Sequence, residues 1–341
     1  MMNFPKISII VPSYNQGQFL EETLQSVINQ HYPNLELFVI DGASTDGSVE
    51  IIKKHRDHIS WWVSERDSGQ SEAINKGLSK ATGDIITWLN SDDLFTPDTL
   101  LRTARQFSKL PDNTGLIHGG TILFNDKKEL KADWGYENSS LERNMAGMAF
   151  PQPSVFFLKK YLDRIGGKVN EKLHYGMDYD LYSRLACICR FSPVKDIFSK
   201  YRLHDNSKSV AEQHKFSTDW SKTYVNTCKN LGWSNILDEI YASDFFDDAA
   251  KGWFTKFSFE PDSSIVNKTD REKTLYYHYC YILKALYWNG QHDKSRELIK
   301  MLKKKYPAGW LAAEKDVSAI LKKLALPGFV LQTLKMIKKL K

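Results

Sequence analysis

The 341-residue chain is too long for one small core and reads as two units, or as one enlarged α/β domain with an appendage. Its 42% hydrophobic and 26% charged residues are those of a soluble globular protein, and no run is long and apolar enough to span a bilayer, which excludes an integral helical membrane protein. From Lys208 onward 23 Lys and Arg stand against 15 Asp and Glu, and before it 24 stand against 26, so a mildly acidic front precedes a basic tail.

Ile7 to Val11 predicts a first strand, closed by Pro12, Ser13, Tyr14 and Asn15. A strand so near the amino terminus argues against a signal peptide. Phe19, Leu20, Leu24, Val27 and Ile28 recur at helical spacing, and Leu35 to Ile40 is a second apolar run. That run stops at Asp41-Gly42-Ala43-Ser44-Thr45-Asp46-Gly47-Ser48, a turn and capping sequence in which Asp46 reads as a helix cap. Ile59 to Val63 predicts a third strand, followed by a polar loop through Asp67 and a helix through Ala73, Ile74 and Leu78. Strand and helix alternate, which predicts a parallel sheet with right-handed crossovers. Neither a dinucleotide glycine fingerprint nor a Walker loop is present, which disfavours a dehydrogenase and a P-loop kinase.

The organising stretch is Gly83 to Pro97. Ile85 to Leu89 reads as a central strand buried on both faces, followed by Asn90-Ser91-Asp92-Asp93 and a helix from Pro97 to Leu110. In an open α/β sheet the loop between them lies at the carboxyl edge, where ligands bind. Adjacent carboxylates repel each other unless a cation or a ligand hydroxyl offsets the cost.

Gly115 to Phe124 and Leu130 to Trp134 predict antiparallel strands, so the sheet is mixed. The loop Phe150-Pro151-Gln152-Pro153-Ser154 enters a strand from Val155 to Leu158, a short helix spans Tyr161 to Ile165, and Gly176-Met177-Asp178-Tyr179-Asp180 opens another helix. Beyond Tyr201-Arg202-Leu203-His204-Asp205-Asn206-Ser207 the pattern is helical. Tyr276 to Trp288 and Ser295 to Tyr306 resemble one tetratricopeptide unit without a second copy. Val330, Leu331, Leu334, Ile337 and Leu340 form an apolar stripe among lysines, the pattern of a basic interfacial helix and equally of a last helix packed on its own domain. The four cysteines show no metal-ligand or redox spacing, which fits a reduced cytosolic setting.

Five of these motifs, in order, resemble the inverting family 2 glycosyltransferases of bacterial surface-glycan type. The resemblance covers residues 1–207 and implies a GT-A fold, a Rossmann-like, mostly parallel mixed sheet flanked by helices, with residues 208–341 as an all-helical region contacting acceptor, membrane or a second subunit. It implies a nucleotide-sugar donor, most simply a UDP-sugar, held by Pro12, Tyr14, Asp41, Asp67 and Asp92. Tyr14 would stack on the base, and Asp41 would accept its hydrogen bond. Asp93 becomes the direct ligand of Mg²⁺ or Mn²⁺, His204 completes that site, and Gln152 faces the acceptor. Asp178 becomes the general base, in a motif where the family has Glu-Asp and this chain has Met177-Asp178; Asp180 is the alternative base, or a cap bonded to Arg184. The acceptor is a saccharide or lipid-linked saccharide, and the setting is the cytoplasm at the inner face of the plasma membrane, with the basic tail on anionic lipid. A scaffold that binds nucleotide-sugars without catalysis is the competing reading, resting on Met177. A nucleic-acid partner is disfavoured, because the tail's lysines are scattered and lack interleaved aromatic motifs.

Overall fold

The computed structural model describes residues 4–135, 140–204 and 213–324. Nine strands form one sheet: β1 (Ile7–Ser13), β2 (Leu35–Asp41), β3 (Trp61–Ser64), β4 (Ile85–Trp88), β5 (Leu94–Phe95), β6 (Thr114–Asn125), β7 (Lys128–Asp133), β8 (Val155–Leu158) and β9 (Arg190–Arg202). Their order is β3-β2-β1-β4-β8-β6-β9-β5, with β7 paired to β6. β3, β2, β1 and β4 are mutually parallel, as the strand and helix alternation predicts. β8 runs antiparallel between β4 and β6, and β9 lies parallel to β6.

Every residue of β1 and β4 is buried, as their continuous apolar sequences require of strands covered on both faces. Alternate side chains feed two cores. Ile9, Val11, Leu37 and Val39 pack toward helices α1 (Gly17–Ile28), α2 (Ser48–Lys54) and α4 (Thr99–Phe107). Ile10, Phe38 and Ile40 pack on the other face toward α3 (Gln70–Lys80), α5 (Leu141–Ala146), α6 (Lys159–Arg164) and α7 (Met177–Ala186). Gly77 lets α3 lie directly on β1, since a Cβ there would come within 2.5 Å of Ile10 Cγ2.

Three local differences from the sequence reading matter for the site. β1 continues through Pro12 to Ser13, because β4 stops pairing at Ile10 and so leaves Pro12 flanked on one side only, where a missing N–H costs nothing. The helix expected from Pro97 begins at Thr99, since Leu94 and Phe95 are first drawn back into the sheet as β5. The segment from Arg190 to Arg202, not anticipated as a strand, is the sheet's longest, because it pairs with the whole length of β6.

Beyond residue 212 all described elements are helical, as expected: α8 (Gln213–Asn230), α9 (Ser234–Ala242), α10 (Asp248–Gly252), α11 (Ser263–Val266), α12 (Arg271–Trp288), α13 (His292–Lys305), α14 (Ala308–Ala313) and α15 (Lys315–Leu324). The anticipated helical hairpin is α12 and α13. One buried cluster runs from Ile10 and Trp88 in the sheet through Tyr182 to Trp233, Tyr276, Leu302 and Leu324 in these helices. The proposed boundary between residues 1–207 and 208–341 falls outside the described residues, as do Asp205, Asn206, Ser207 and the whole basic stretch from Val330 to Lys341.

A buried ion pair joins the two parts. Arg143 of α5 donates to both oxygens of Glu314, one bond measuring 3.1 Å, and its guanidinium lies 3.9 Å from the centre of the Tyr277 ring. Removing one partner strands a buried charge, so Arg143→Met should cost about 3–5 kcal/mol of stability in urea unfolding. A loss within about 0.5 kcal/mol, the range of an ordinary surface substitution, would show that the pair does not tie the helices to the sheet.

Candidate active site at the carboxyl edge of the sheet

β4 delivers the acid motif to the edge, and the chain turns there, the Asp93 N–H donating to the Asn90 carbonyl at 3.0 Å. β5 then pairs antiparallel with β9, Leu94 opposite Lys200, which draws the acids against the end of β9. Asp93 has no exposed surface. Its Oδ1 accepts from the Arg202 N–H at 3.1 Å and its Oδ2 from Asn90 Nδ2 at 3.3 Å. Burial, and then the charge of Asp92, push the Asp93 carboxyl well above the usual carboxylate range.

Arg202 braces this loop. Its Nε–H donates to the Asp92 carbonyl at 3.1 Å, and its guanidinium pairs with Glu22 and, at 3.4 Å, with Asp126. The same guanidinium sits 4.7 Å from the centre of the Phe19 ring and 4.5 Å from that of Phe124. Two residues on, His204 Nε2 lies 2.9 Å from Asp92 Oδ2. The two acids thus part company. With Asp93 enclosed and both its oxygens engaged, the accessible carboxylate of the motif is Asp92, which pairs with His204.

The second group gathers at the ends of β1, β2 and β3. Asp41 is fully buried, accepting from the Ser44 N–H at 2.9 Å, the Ser44 hydroxyl at 2.5 Å and the Ser64 hydroxyl at 2.6 Å. It therefore shapes the turn in which Ala43 adopts φ 63°. Above it Gly42 lies between Tyr14 and Asp67: a Cβ there would stand 3.0 Å from Asp67 Oδ2 and 3.2 Å from Tyr14 Cδ2. The Tyr14 ring is 62% exposed, an aromatic face free to stack. Asp67 is half-buried, held by the Gly69 N–H at 2.9 Å, and its carboxyl is raised mainly by that burial. Asp46 caps as expected, accepting from the Gly17 N–H at 2.8 Å and the Ser48 hydroxyl at 2.6 Å.

The third group opens α7. Asp178 accepts from the N–H of Tyr179 at 2.8 Å, and burial pushes its carboxyl up to about 6. Met177 turns inward, its sulfur accepting from the Ser71 hydroxyl at 2.7 Å, so the side chain standing where the family has Glu belongs to the contact between α3 and α7. Asp180 is buried in an ion pair with Arg184 at 2.9 Å. An amide relay joins this side to the acid loop: Gln70 donates to Asn90 at 2.7 Å, Asn90 donates to Gln152 Oε1 at 3.4 Å, and Gln152 donates to the Trp88 carbonyl at 3.0 Å. Tyr182 stacks on Trp88 with ring centres 6.0 Å apart.

Residues 8–155 match the family profile described as glycosyl transferase family 2. That match spans less than half of the chain and marks residues 8–155 as a glycosyltransferase family 2 segment. An uncharacterized glycosyltransferase of Rickettsia typhi is 25% identical over 232 residues, 64% of this chain and 71% of that protein. TuaG of Bacillus subtilis, whose name provisionally assigns it to teichuronic acid biosynthesis, is 37% identical over 101 residues, 28% of this chain and 39% of that protein. Among solved structures, the mannosyltransferase PcManGT of Pyrobaculum calidifontis, in complex with GDP-Man and Mn²⁺, superposes with a TM-score of 0.55 at 18% identity, covering 95% of this chain and 85% of that one. Residues 1–349 of TarS from S. aureus, in complex with UDP-GlcNAc, superpose with a TM-score of 0.52 at 15% identity, covering 81% of this chain and 91% of that one. The fold is GT-A, as the resemblance implied.

Arg202, Gln70 and the structural part of Asn90 were not anticipated in these roles. Arg202 adjoins a noted motif, yet only the pairing of β5 with β9 reveals what it touches. Among the described residues no group of three His, Cys, Asp or Glu side chains forms a cation cage. A hard cation that arrives with a diphosphate takes most of its oxygens from phosphate and water and needs only one or two protein ligands, a requirement the Asp92–His204 pair fits.

Lysine keeps the charge of Arg202 but not its Nε–H donor or planar fork. Arg202→Lys should therefore lower stability by about 2 kcal/mol, the scale of a lost charge-assisted bond in a buried setting. Urea unfolding at fixed ionic strength measures it, and an unchanged midpoint would mean that the acid loop holds without this brace.

Proposed function

We propose that the chain is an inverting, cation-dependent transferase that moves a sugar from a nucleotide-sugar, most simply a UDP-sugar, to a hydroxyl of a saccharide or lipid-linked saccharide. The observation that carries this reading is the convergence at one sheet edge of an exposed aromatic face, an accessible carboxylate–imidazole pair and a separate carboxyl raised to about 6. The nucleotide-sugars bound to PcManGT and TarS support the donor class, and the teichuronic acid role in the name of TuaG supports a surface-glycan acceptor.

In this reading Tyr14 stacks on the base, while Asp67 accepts from the nucleoside and Asp41 holds the turn beneath it. Asp92 and His204 would hold Mg²⁺ or Mn²⁺, which when bound supplies the positive charge that neutralises the departing diphosphate. Asp93, clamped by Arg202, fixes where Asp92 points. Asp178 removes the acceptor hydroxyl proton as that oxygen attacks the anomeric carbon from the face opposite the leaving group, which inverts the configuration. A carboxyl near 6 is matched to that task, being mostly ionised at neutral pH yet basic enough to take a proton. The relay from Asn90 through Gln152 holds the acceptor side in register with the donor side. Met177, standing where the family has Glu, packs inward on Ser71, and in this reading Asp178 alone carries the base role. No described helix is long and apolar enough to cross a membrane, and attachment to the inner face of the plasma membrane through the basic stretch 330–341 belongs to this proposal.

Asp178→Asn should reduce transfer by about 10³-fold while leaving nucleotide-sugar affinity unchanged. A parallel loss of donor affinity would instead mark Asp178 as a binding group. The wild-type rate should fall on the acid side with a midpoint near 6, because protonation removes the base. The sign for stability is opposite. A carboxyl raised in the native state binds its proton more tightly there than in the unfolded chain, so it costs stability as pH rises through about 6. Asp178→Asn should accordingly keep or raise the melting temperature at pH 7.5, and a clear drop would contradict the burial that shifts this group.

A further inference from the structure

The helices beyond residue 212 enclose a cavity of about 330 Å³ with four aromatic rings in its lining, Phe216 and Trp220 from α8 and Tyr281 and Trp288 from α12. Its volume and lining are those of a small-molecule site. Both walls are fastened to segments that carry proposed catalytic-side residues. On the α8 wall, Asp219 accepts from the Tyr175 N–H at 3.0 Å, and a Cβ on Gly176 would stand 3.2 Å from Trp220 Cδ1, two residues before Asp178. The Trp220 ring also meets the Tyr179 ring edge-on at 6.0 Å. On the α12 wall, the Tyr281 hydroxyl donates to the Met148 carbonyl at 2.7 Å, four residues before Gln152, and Met148 itself lines the cavity.

We infer that this aromatic groove is an acceptor subsite that holds a pyranose ring of the acceptor glycan, leading its reacting hydroxyl toward Asp178. The inference rests on the glycosyl-transfer reading above and gives the helical region a role within it. A pyranose ring presents an apolar C–H face bordered by hydroxyls. Flat aromatic faces match the first, and the polar groups of Ser217, of Ser221, whose hydroxyl lies 3.3 Å from His278 Nε2, and of Lys284 lie among those faces to match the second. Trp288 is 54% exposed at the rim, an arrangement that lets a longer glycan continue outward. The helices are thereby more than a buttress: they place an extended acceptor in line with the base.

The test uses the full chain and two variants, Trp288→Ala, which removes an exposed platform at little risk to folding, and Ala285→Phe, which fills the cavity from α12. The probes are methyl β-D-glucopyranoside, methyl α-D-mannopyranoside and N,N′-diacetylchitobiose, followed by saturation-transfer NMR, with sodium decanoate as the hydrocarbon control. At least one saccharide should bind the wild type saturably. Its affinity should fall about tenfold in Trp288→Ala, the scale of one lost aromatic platform, and binding should vanish in Ala285→Phe. UDP-GlcNAc and GDP-mannose are titrated in parallel, and whichever binds should bind all three proteins equally. Saccharide binding that ignores both variants, no saccharide binding at all, or decanoate alone competing for the groove would overturn the inference. Donor binding that persists in any of those cases leaves the transferase reading standing, whereas absence of all donor binding removes that reading itself.

Discussion

Two neighbouring carboxylates at the end of a buried strand repel each other, and the site depends on how that repulsion is managed. The chain separates the pair by environment. Asp93 is enclosed, with Arg202 and Asn90 donating to its two oxygens, while Asp92 turns outward to His204. Arg202 does this with its backbone N–H and its Nε–H together, so the loop and the end of β9 are locked in one register. Its guanidinium is compensated by Glu22 and Asp126 and flanked by the Phe19 and Phe124 rings, which lets a cation sit 5% exposed behind an acidic motif.

That lock is a tertiary device made of distant pieces. β4 brings the acids, β5 folds them back, and β9 arrives more than 100 residues later beside β6 to supply Arg202 and His204. The opposite flank is set in the same way, since α7 carries Asp178 only where Met177 packs on Ser71 at the start of α3. The helices beyond residue 212 share the core that supports α7 and are pinned to α5 by Arg143 and Glu314. The segment holding Asp178 and those helices therefore rest on one continuous core.

Much of this was legible in the sequence because it is written locally. Ile7 to Val11, Leu35 to Ile40 and Ile85 to Leu89 are continuous apolar runs, and a strand buried on both faces leaves no other pattern. Asp46 and the Gly42 turn follow from capping and turn chemistry. The misses share a different cause. Arg190 to Arg202 mixes charged and apolar residues without a clean period, because one long strand passes from an exposed margin into the core. Leu94 and Phe95 are too short to read as a strand at all and exist as one only through Lys200 and Ser199. The different settings of Asp92 and Asp93 were likewise out of reach: adjacent acids look alike in sequence, and it is the Arg202 N–H and Asn90 at one and His204 at the other that distinguish them.

In the proposed function the edge formed by Tyr14, Asp67, Asp92 and His204 activates a nucleotide-sugar with a divalent cation. Its most direct measurement is nucleotide release from a panel of UDP-, GDP- and dTDP-sugars with Mn²⁺ or with a chelator, water serving as the default acceptor, alongside calorimetric binding of each donor. One donor class should bind in a manner that needs Mn²⁺, with slow release that the chelator abolishes and that is lost in His204→Ala. Binding and release that proceed equally in the chelator and in His204→Ala would contradict it.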